Sequence, residues 1–202
     1  MERIGLLGGT FNPIHNGHIH IAREFCTRLS LSRVLLIPAQ SPPHKPLDVI
    51  APAAMRLEMC RIAAADEPLL EVSDIEISRG GTSYSVDTLR ELSSRLKDAA
   101  LFFIMGADMF LTLEKWHNFS EIARLADLCT AARRGGGIKE LEDYAKRIET
   151  LYGARCHIES IPVVQVSSTS IRSLIACGGD ASGLLPGGVY KFILENGLYA
   201  GN

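Results

Sequence analysis

No apolar run in this 202-residue chain approaches the length of a membrane span, so no transmembrane segment is expected. An excess of one charge is missing too: 21 Lys and Arg stand against 23 Asp and Glu, a formal net charge of −2. That balance gives no long-range field to gather nucleic acid, so an anionic substrate must be met by local donors. None of the five cysteines (Cys26, Cys60, Cys129, Cys156, Cys177) forms a CxxC pair, and their number is odd. The expectation is reduced, mostly buried thiols in a cytoplasmic protein. Glu2 and Arg3 lead straight into an apolar run, so no signal peptide is expected. Two common phosphate loops are absent: nothing ends in Gly-Lys-Ser/Thr, and no Gly-x-Gly-x-x-Gly follows the first predicted strand. No Ser–His–Asp or Cys–His pairing marks a nucleophile. With 47% hydrophobic and 22% charged residues, the chain has the composition of a globular protein, long enough for one sizeable core.

What is present starts with Gly8-Gly9-Thr10-Phe11-Asn12-Pro13-Ile14-His15-Asn16-Gly17-His18. It follows Ile4 to Leu7, predicted as a buried strand. It precedes a segment of helical period, with Ile19, Ala22, Phe25, Cys26 and Leu29 on one face and His20, Arg23, Glu24, Thr27 and Arg28 on the other. Asn16 stands where the N-cap is expected. The first N–H groups of a helix lack internal partners and carry partial positive charge, and glycines before them let a phosphate approach the backbone. His15 and His18 add two imidazole donors at the same mouth. A metal trio of His15, His18 and His20 is disfavoured, because His20 falls on the solvent face and no cysteine or carboxylate stands at ligand spacing.

Further along, Arg33 to Ile37 reads as a second buried strand, completing a strand–helix–strand unit. A proline-rich loop, 38–52, carries Ser41-Pro42-Pro43-His44-Lys45-Pro46, and a lysine held there could close over a triphosphate. Ala53 to Asp66 reads as a helix with Met55, Met59, Ile62 and Ala63 on one side. Leu69 to Ser73 reads as a strand that Asp74 to Ser78 extends or flanks. Gly80-Gly81-Thr82-Ser83-Tyr84-Ser85 leads into a helix through Leu89, Leu92 and Leu96, with hydroxyls at its cap. Ala100 to Met105 is the strongest strand. It ends in Gly106-Ala107-Asp108, which puts a carboxylate where open α/β sheets bind ligands and where ribose hydroxyls can be held. Trp116, the only tryptophan, has polar neighbours that leave a face free for stacking on a flat ring. A strand at Leu128 to Ala132 runs into Arg133-Arg134-Gly135. An amphipathic helix with Leu141, Ala145, Ile148 and Leu151 follows, then strand-like segments at 156–162 and 163–166. Ser167-Ser168-Thr169-Ser170-Ile171-Arg172 puts hydroxyls, free amides and a guanidinium at one more helix start, a second anion cradle.

The Gly8–His18 stretch resembles the HxGH signature of the nucleotidyltransferase superfamily, and with Gly-Gly-Thr-Phe-Asn-Pro-Ile-His in front it is most similar to the bacterial nicotinate-nucleotide adenylyltransferases. Val166-Ser-Ser-Thr-Ser-Ile-Arg172 resembles that family's second element, and Leu185-Pro-Gly-Gly-Val189 its closing helix. The resemblance runs from Gly8 to Tyr199. It implies an α/β, Rossmann-like open parallel sheet with helices on both faces in a single domain over 1–202, and a helical portion from about 168 packed onto it. It also implies that Gly8, Gly9, Thr10 and Phe11 form the phosphate-approach turn, with His15, His18, Lys45 and Arg172 acting on the phosphates of ATP. Gly106, Asp108, Ser167, Ser168 and Thr169 would bind the rest of ATP, and Ser85, Trp116 and Arg134 the nicotinate mononucleotide. Ser85 replaces the family's threonine, and Gly135 replaces a proline beside Arg134.

The reaction so implied is transfer of the ATP adenylyl group to nicotinate mononucleotide in NAD biosynthesis, in line and without a covalent intermediate, with Mg²⁺ carried on the ATP phosphates. Neither nucleic acid nor membrane is an expected partner, and monomer and homodimer stay open. A phosphopantetheine adenylyltransferase would share the HxGH turn but lack the Trp116 neighbourhood. A cytidylyltransferase would carry an Arg-Thr-x-Gly-x-Ser-Thr element, which is absent. A non-catalytic nucleotide sensor would have no need of both histidines, Lys45 and Arg172 together.

Overall fold

Strand β1 (Glu2–Gly9) lies inside a six-stranded sheet of order β3-β2-β1-β4-β5-β6, and every neighbouring pair in it is parallel. The others are β2 (Arg33–Pro38), β3 (Leu70–Val72), β4 (Ala99–Met105), β5 (Asp127–Ala132) and β6 (Cys156–Ser160). The computed structural model describes residues 1–42, 50–132, 137–162 and 164–201. Leaving β1, the chain builds outward through β2 and β3, then returns to start β4 on the other flank of β1. The C-terminal ends of β1 and β4 therefore form a topological switch point, the crevice where such sheets take ligands.

Side chains of the strands alternate between two cores. Phe102 and Ile104 of β4 point to one face, joined by Ile19, Ala22 and Phe25 of α1 (Asn16–Arg28) and Met59, Cys60 and Ala63 of α2 (Ala53–Ala64). That face also takes Ile171 and Ile175 of α8 (Ser168–Ala176) and Val189 and Ile193 of α9 (Gly187–Glu195), so the C-terminal helices pack over α1 and α2. Leu101, Phe103 and Met105 point the other way, onto α4 (Ser85–Arg95), α6 (Phe119–Leu125) and α7 (Ile138–Tyr152). Gly5 lies mid-strand because a Cβ there would meet Val34 Cγ2 at 2.7 Å.

Several expectations are corrected. The 74–78 segment is no strand extension but a helix, α3 (Ile75–Arg79), closed by bonds from Ser78 N to Asp74 O and Gly80 N to Glu76 O. Residues 164–166 lie outside any strand, and Val166 N turns back to Val164 O at 2.9 Å. Val163 lies outside the described residues. Leu151 is 61% exposed; the apolar stripe of α7 steps instead from Ile148 to Tyr152, whose ring packs edge-on to Phe119 at 4.9 Å. All five cysteines are free thiols, and Cys26, Cys60 and Cys129 are buried. Among the described residues no helix is long and apolar enough to cross a membrane.

Candidate active site

The first turn starts as strand. Gly8 and Gly9 are the last residues of β1, not part of the loop. Phe11 then takes a φ of 47° and folds its ring back into the core, 2% exposed. A Cβ on Gly9 would sit 3.1 Å from that ring, so the glycine is needed to let the chain double back. His15 is the N-cap of α1, one residue before the Asn16 that sequence spacing favoured. Its backbone N–H donates to His18 Nδ1 at 3.2 Å, closing the start of the helix with an imidazole where a carboxylate or amide is usual. Asn16 instead donates through Nδ2 to Gly183 O. His20 is half-buried on the outer side of α1, and its Nε2 bonds Pro162 O at 2.7 Å.

The bond into His18 Nδ1 fixes a tautomer. Because that nitrogen accepts, the N–H of the neutral ring sits on Nε2 and is directed away from the helix backbone. The His15 and His18 rings stack with centroids 3.7 Å apart, and Phe11 lies edge-on to His18 at 5.0 Å. His15 is 7% exposed, and burial lowers its pKa to about 4, partly offset by a backbone hydrogen bond. It is therefore neutral at pH 7. Its Nδ1 is buried at the first turn of α1.

The second helix start meets the first. Ser167 caps α8: its Oγ accepts from Ser170 N at 3.0 Å, and Ser170 Oγ accepts from Ser167 N at 3.2 Å. Ser168 Oγ donates to Pro13 O at 2.9 Å. Arg172 donates through Nη1 to Asn12 O at 2.9 Å and through Nη2 to Thr169 Oγ1 at 3.5 Å. Gly17 completes the contact, since a Cβ there would lie 2.9 Å from Val166 Cγ1 and 3.1 Å from His15 Nδ1. Elements far apart in sequence are thus bonded at one place, at the C-terminal end of β1.

Gly106 and Asp108 follow β4 on the other side of the crevice, both exposed. Gly106 caps the short helix α5 (Ala107–Phe110), and a Cβ on it would meet nothing within 4 Å. Ser85 opens α4 behind an N-cap, Tyr84, that makes no side-chain cap bond; the expected hydroxyl cap is not formed. Ser83 Oγ instead accepts from Gln40 N at 3.0 Å, tying this loop to the end of β2. Trp116 packs edge-on to Phe103 at 6.1 Å, and its Nε1 donates to Thr112 Oγ1 at 3.3 Å. The Tyr84 and His117 rings meet at 4.8 Å, which brings the Ser85 and Trp116 segments together. Lys45 and Arg134 lie outside the described residues.

Sequence reasoning missed Arg56, Tyr199 and the side chain of Asn12. Arg56 is 1% exposed on α2 and donates to Thr10 O, Gln40 O and Ala51 O. Asn12 Oδ1 accepts from Ala51 N at 3.0 Å and from Tyr199 Oη at 2.7 Å. Burial raises the Tyr199 pKa well above the phenol range, so the hydroxyl stays a donor. A signal for Arg56 was available: it shares the i, i+3, i+4, i+7 stripe with Met59, Cys60 and Ala63, all buried.

The sequence model of the cytidylyltransferase-like family matches residues 6–174. A protein of Citrifermentans bemidjiense named probable nicotinate-nucleotide adenylyltransferase is 42% identical over 211 residues, covering 98% of each chain. One of the same name from Clostridium novyi is 36% identical over 199 residues, covering 98% of this chain and all of the relative. Among solved structures, Plasmodium falciparum nicotinic acid mononucleotide adenylyltransferase complexed with NaAD superposes with a TM-score of 0.80 over 98% of each chain, at 15% identity. The same enzyme complexed with APC gives 0.78 at 14% identity and the same coverage. At that identity the structural likeness is one of fold.

Proposed function

The chain belongs to the cytidylyltransferase-like family and, within it, to the nicotinate-nucleotide adenylyltransferases, and we infer that it joins ATP and nicotinate mononucleotide into nicotinate adenine dinucleotide and pyrophosphate. The observation that carries the mechanism is the contact of the two helix starts, through Arg172 on Asn12 O and Ser168 on Pro13 O. One anion bound there meets amides of α1 and of α8 together.

An oxygen of the mononucleotide phosphate attacks the α-phosphorus of ATP. The new P–O bond forms as the bond to the bridging oxygen breaks, and pyrophosphate leaves with the electron pair. The attacking phosphate is largely a dianion at neutral pH, so no general base is required. Acceleration comes from alignment and from donors placed where negative charge grows. His18 supplies its Nε2–H, and the buried neutral His15 supports the ring it stacks on. Arg172 and Lys45 offset triphosphate charge, and Ser167, Ser168 and Thr169 shape the second mouth. Gly8, Gly9, Thr10 and Phe11 let the phosphates approach, Gly106 and Asp108 take ribose, and Ser85, Trp116 and Arg134 bound the pyridine. Mg²⁺ enters on the ATP phosphates as part of the substrate, since it draws most ligands from phosphate and water. No group of His, Cys, Asp and Glu able to hold a metal occurs among the described residues. A cytoplasmic setting agrees with five unpaired cysteines.

Each acceptor is offered in turn with ATP and Mg²⁺ while pyrophosphate is followed. Release with nicotinate mononucleotide, together with formation of the dinucleotide, is the expected result. Release with phosphopantetheine alone would overturn the assignment.

A further inference from the structure

Three carbonyls of the phosphate turn are held by side chains from other elements. Thr10 O accepts from Arg56 Nη1 at 2.8 Å, Asn12 O from Arg172 and Pro13 O from Ser168. Of these donors only Arg56 reaches into other segments as well. Its Nη2 donates to Gln40 O at 3.2 Å, past the end of β2, and its Nε to Ala51 O at 2.9 Å, just before α2. We propose that Arg56 is a positioning residue for adenylyl transfer: it fixes the Thr10–Phe11 peptide so that the Phe11 N–H faces the bound phosphate, and it sets a buried positive charge behind that anion.

A trans peptide is planar, with C=O and N–H pointing in opposite directions, and the Thr10–Phe11 peptide is trans. A donor that draws the Thr10 carbonyl inward turns the Phe11 N–H outward, toward the mouth of the crevice. Phe11 has a positive φ, so its peptide needs such a restraint to stay in place. Packing alone does not account for the residue. Arg56 is 1% exposed, and among the described residues its hydrogen bonds go to three backbone carbonyls. Burying a cation is costly, and a methionine would fill the same space. A phosphate on the far side of the turn would add negative charge facing this cation.

The inference rests on the adenylyltransferase reading, so the wild-type protein is assayed first. Arg56→Lys keeps the charge and loses the three-way fork; Arg56→Ala loses both and opens a cavity. With melting temperature and circular dichroism checked, Arg56→Lys is expected to lower kcat by about 10- to 100-fold at saturating ATP. Guanidinium ion should restore part of the Arg56→Ala activity where equal sodium chloride does not, a response that a fold defect would not give. A second measurement needs no variant: in ¹⁵N-labelled wild-type protein, inorganic pyrophosphate should shift the Phe11 amide resonance. Folded Arg56→Lys with kcat within about twofold of wild type, or a Phe11 amide that ignores pyrophosphate at saturation, overturns the inference while an active wild type leaves the reaction standing. An inactive wild type would remove the reaction reading itself.

Discussion

Gly17 and Val166 touch so closely that a single added carbon on Gly17 would lie 2.9 Å from Val166 Cγ1. The glycine of the HxGH stretch is where the first turn of α1 packs against the approach to α8. Gly17→Ala should push the two helix starts apart, and an ångström-scale misplacement of reacting groups costs on the order of 100-fold in rate. Steady-state kinetics should show the loss in kcat. Val166→Ala, made in the same background, should recover part of it, because it removes the methyl groups in the way. Equal loss in the single and double variants would place the defect elsewhere.

His15 ties the site to pH. Its folded-state pKa is lowered to about 4 from 6.5 by burial. Between those values the unfolded chain binds the proton and the folded protein does not, so stability rises with pH across that window. The contribution is full above about pH 6.5 and is lost as pH falls to about 4, a loss of roughly 3 kcal/mol for this one group. Urea denaturation from pH 4 to pH 7 should therefore show a steeper fall toward acid in the wild type than in His15→Gln. Parallel profiles would mean that His15 does not carry the burial penalty.

His18 is expected to act in the transition state. Its Nδ1 accepts the His15 N–H, which puts the N–H of the neutral ring on Nε2, the donor assigned to charge growing on the α-phosphorus. His18→Ala should lower kcat by roughly 10²- to 10³-fold, the usual scale for one lost transition-state donor, with a much smaller effect on the KM for ATP. Unchanged turnover at saturating ATP would remove His18 from the mechanism.

Much of this was readable in the residues. The strands that build the sheet centre, β1, β2 and β4, are unbroken apolar runs because parallel strands are covered on both faces, and their limits fall within a residue or two of the expected ones. The buried face of α1 follows its helical period. What local pattern missed was decided by particular side-chain partners, most of them far away in sequence. His15 became the N-cap because His18 lies three residues on and can accept its N–H. The 74–78 segment became a helix whose Glu76, nearly buried, accepts the Thr88 hydroxyl at 2.7 Å, a contact with α4 that no local period announces. Arg56 lies off the apolar side expected for α2, and its role shows only in the carbonyls of Thr10, Gln40 and Ala51 around it. For the candidate site, the motifs located the two helix starts, while the bonds joining them run across 155 and 160 residues and belong to the fold.

The central claim is direct in-line transfer at the place where α1 and α8 begin. It is tested most directly by giving the wild-type protein a single diastereomer of adenosine 5′-O-(1-thiotriphosphate) with nicotinate mononucleotide and reading the configuration at phosphorus in the dinucleotide. One displacement without a covalent intermediate predicts inversion. Retention would require two displacements and an adenylylated side chain, and would contradict the account.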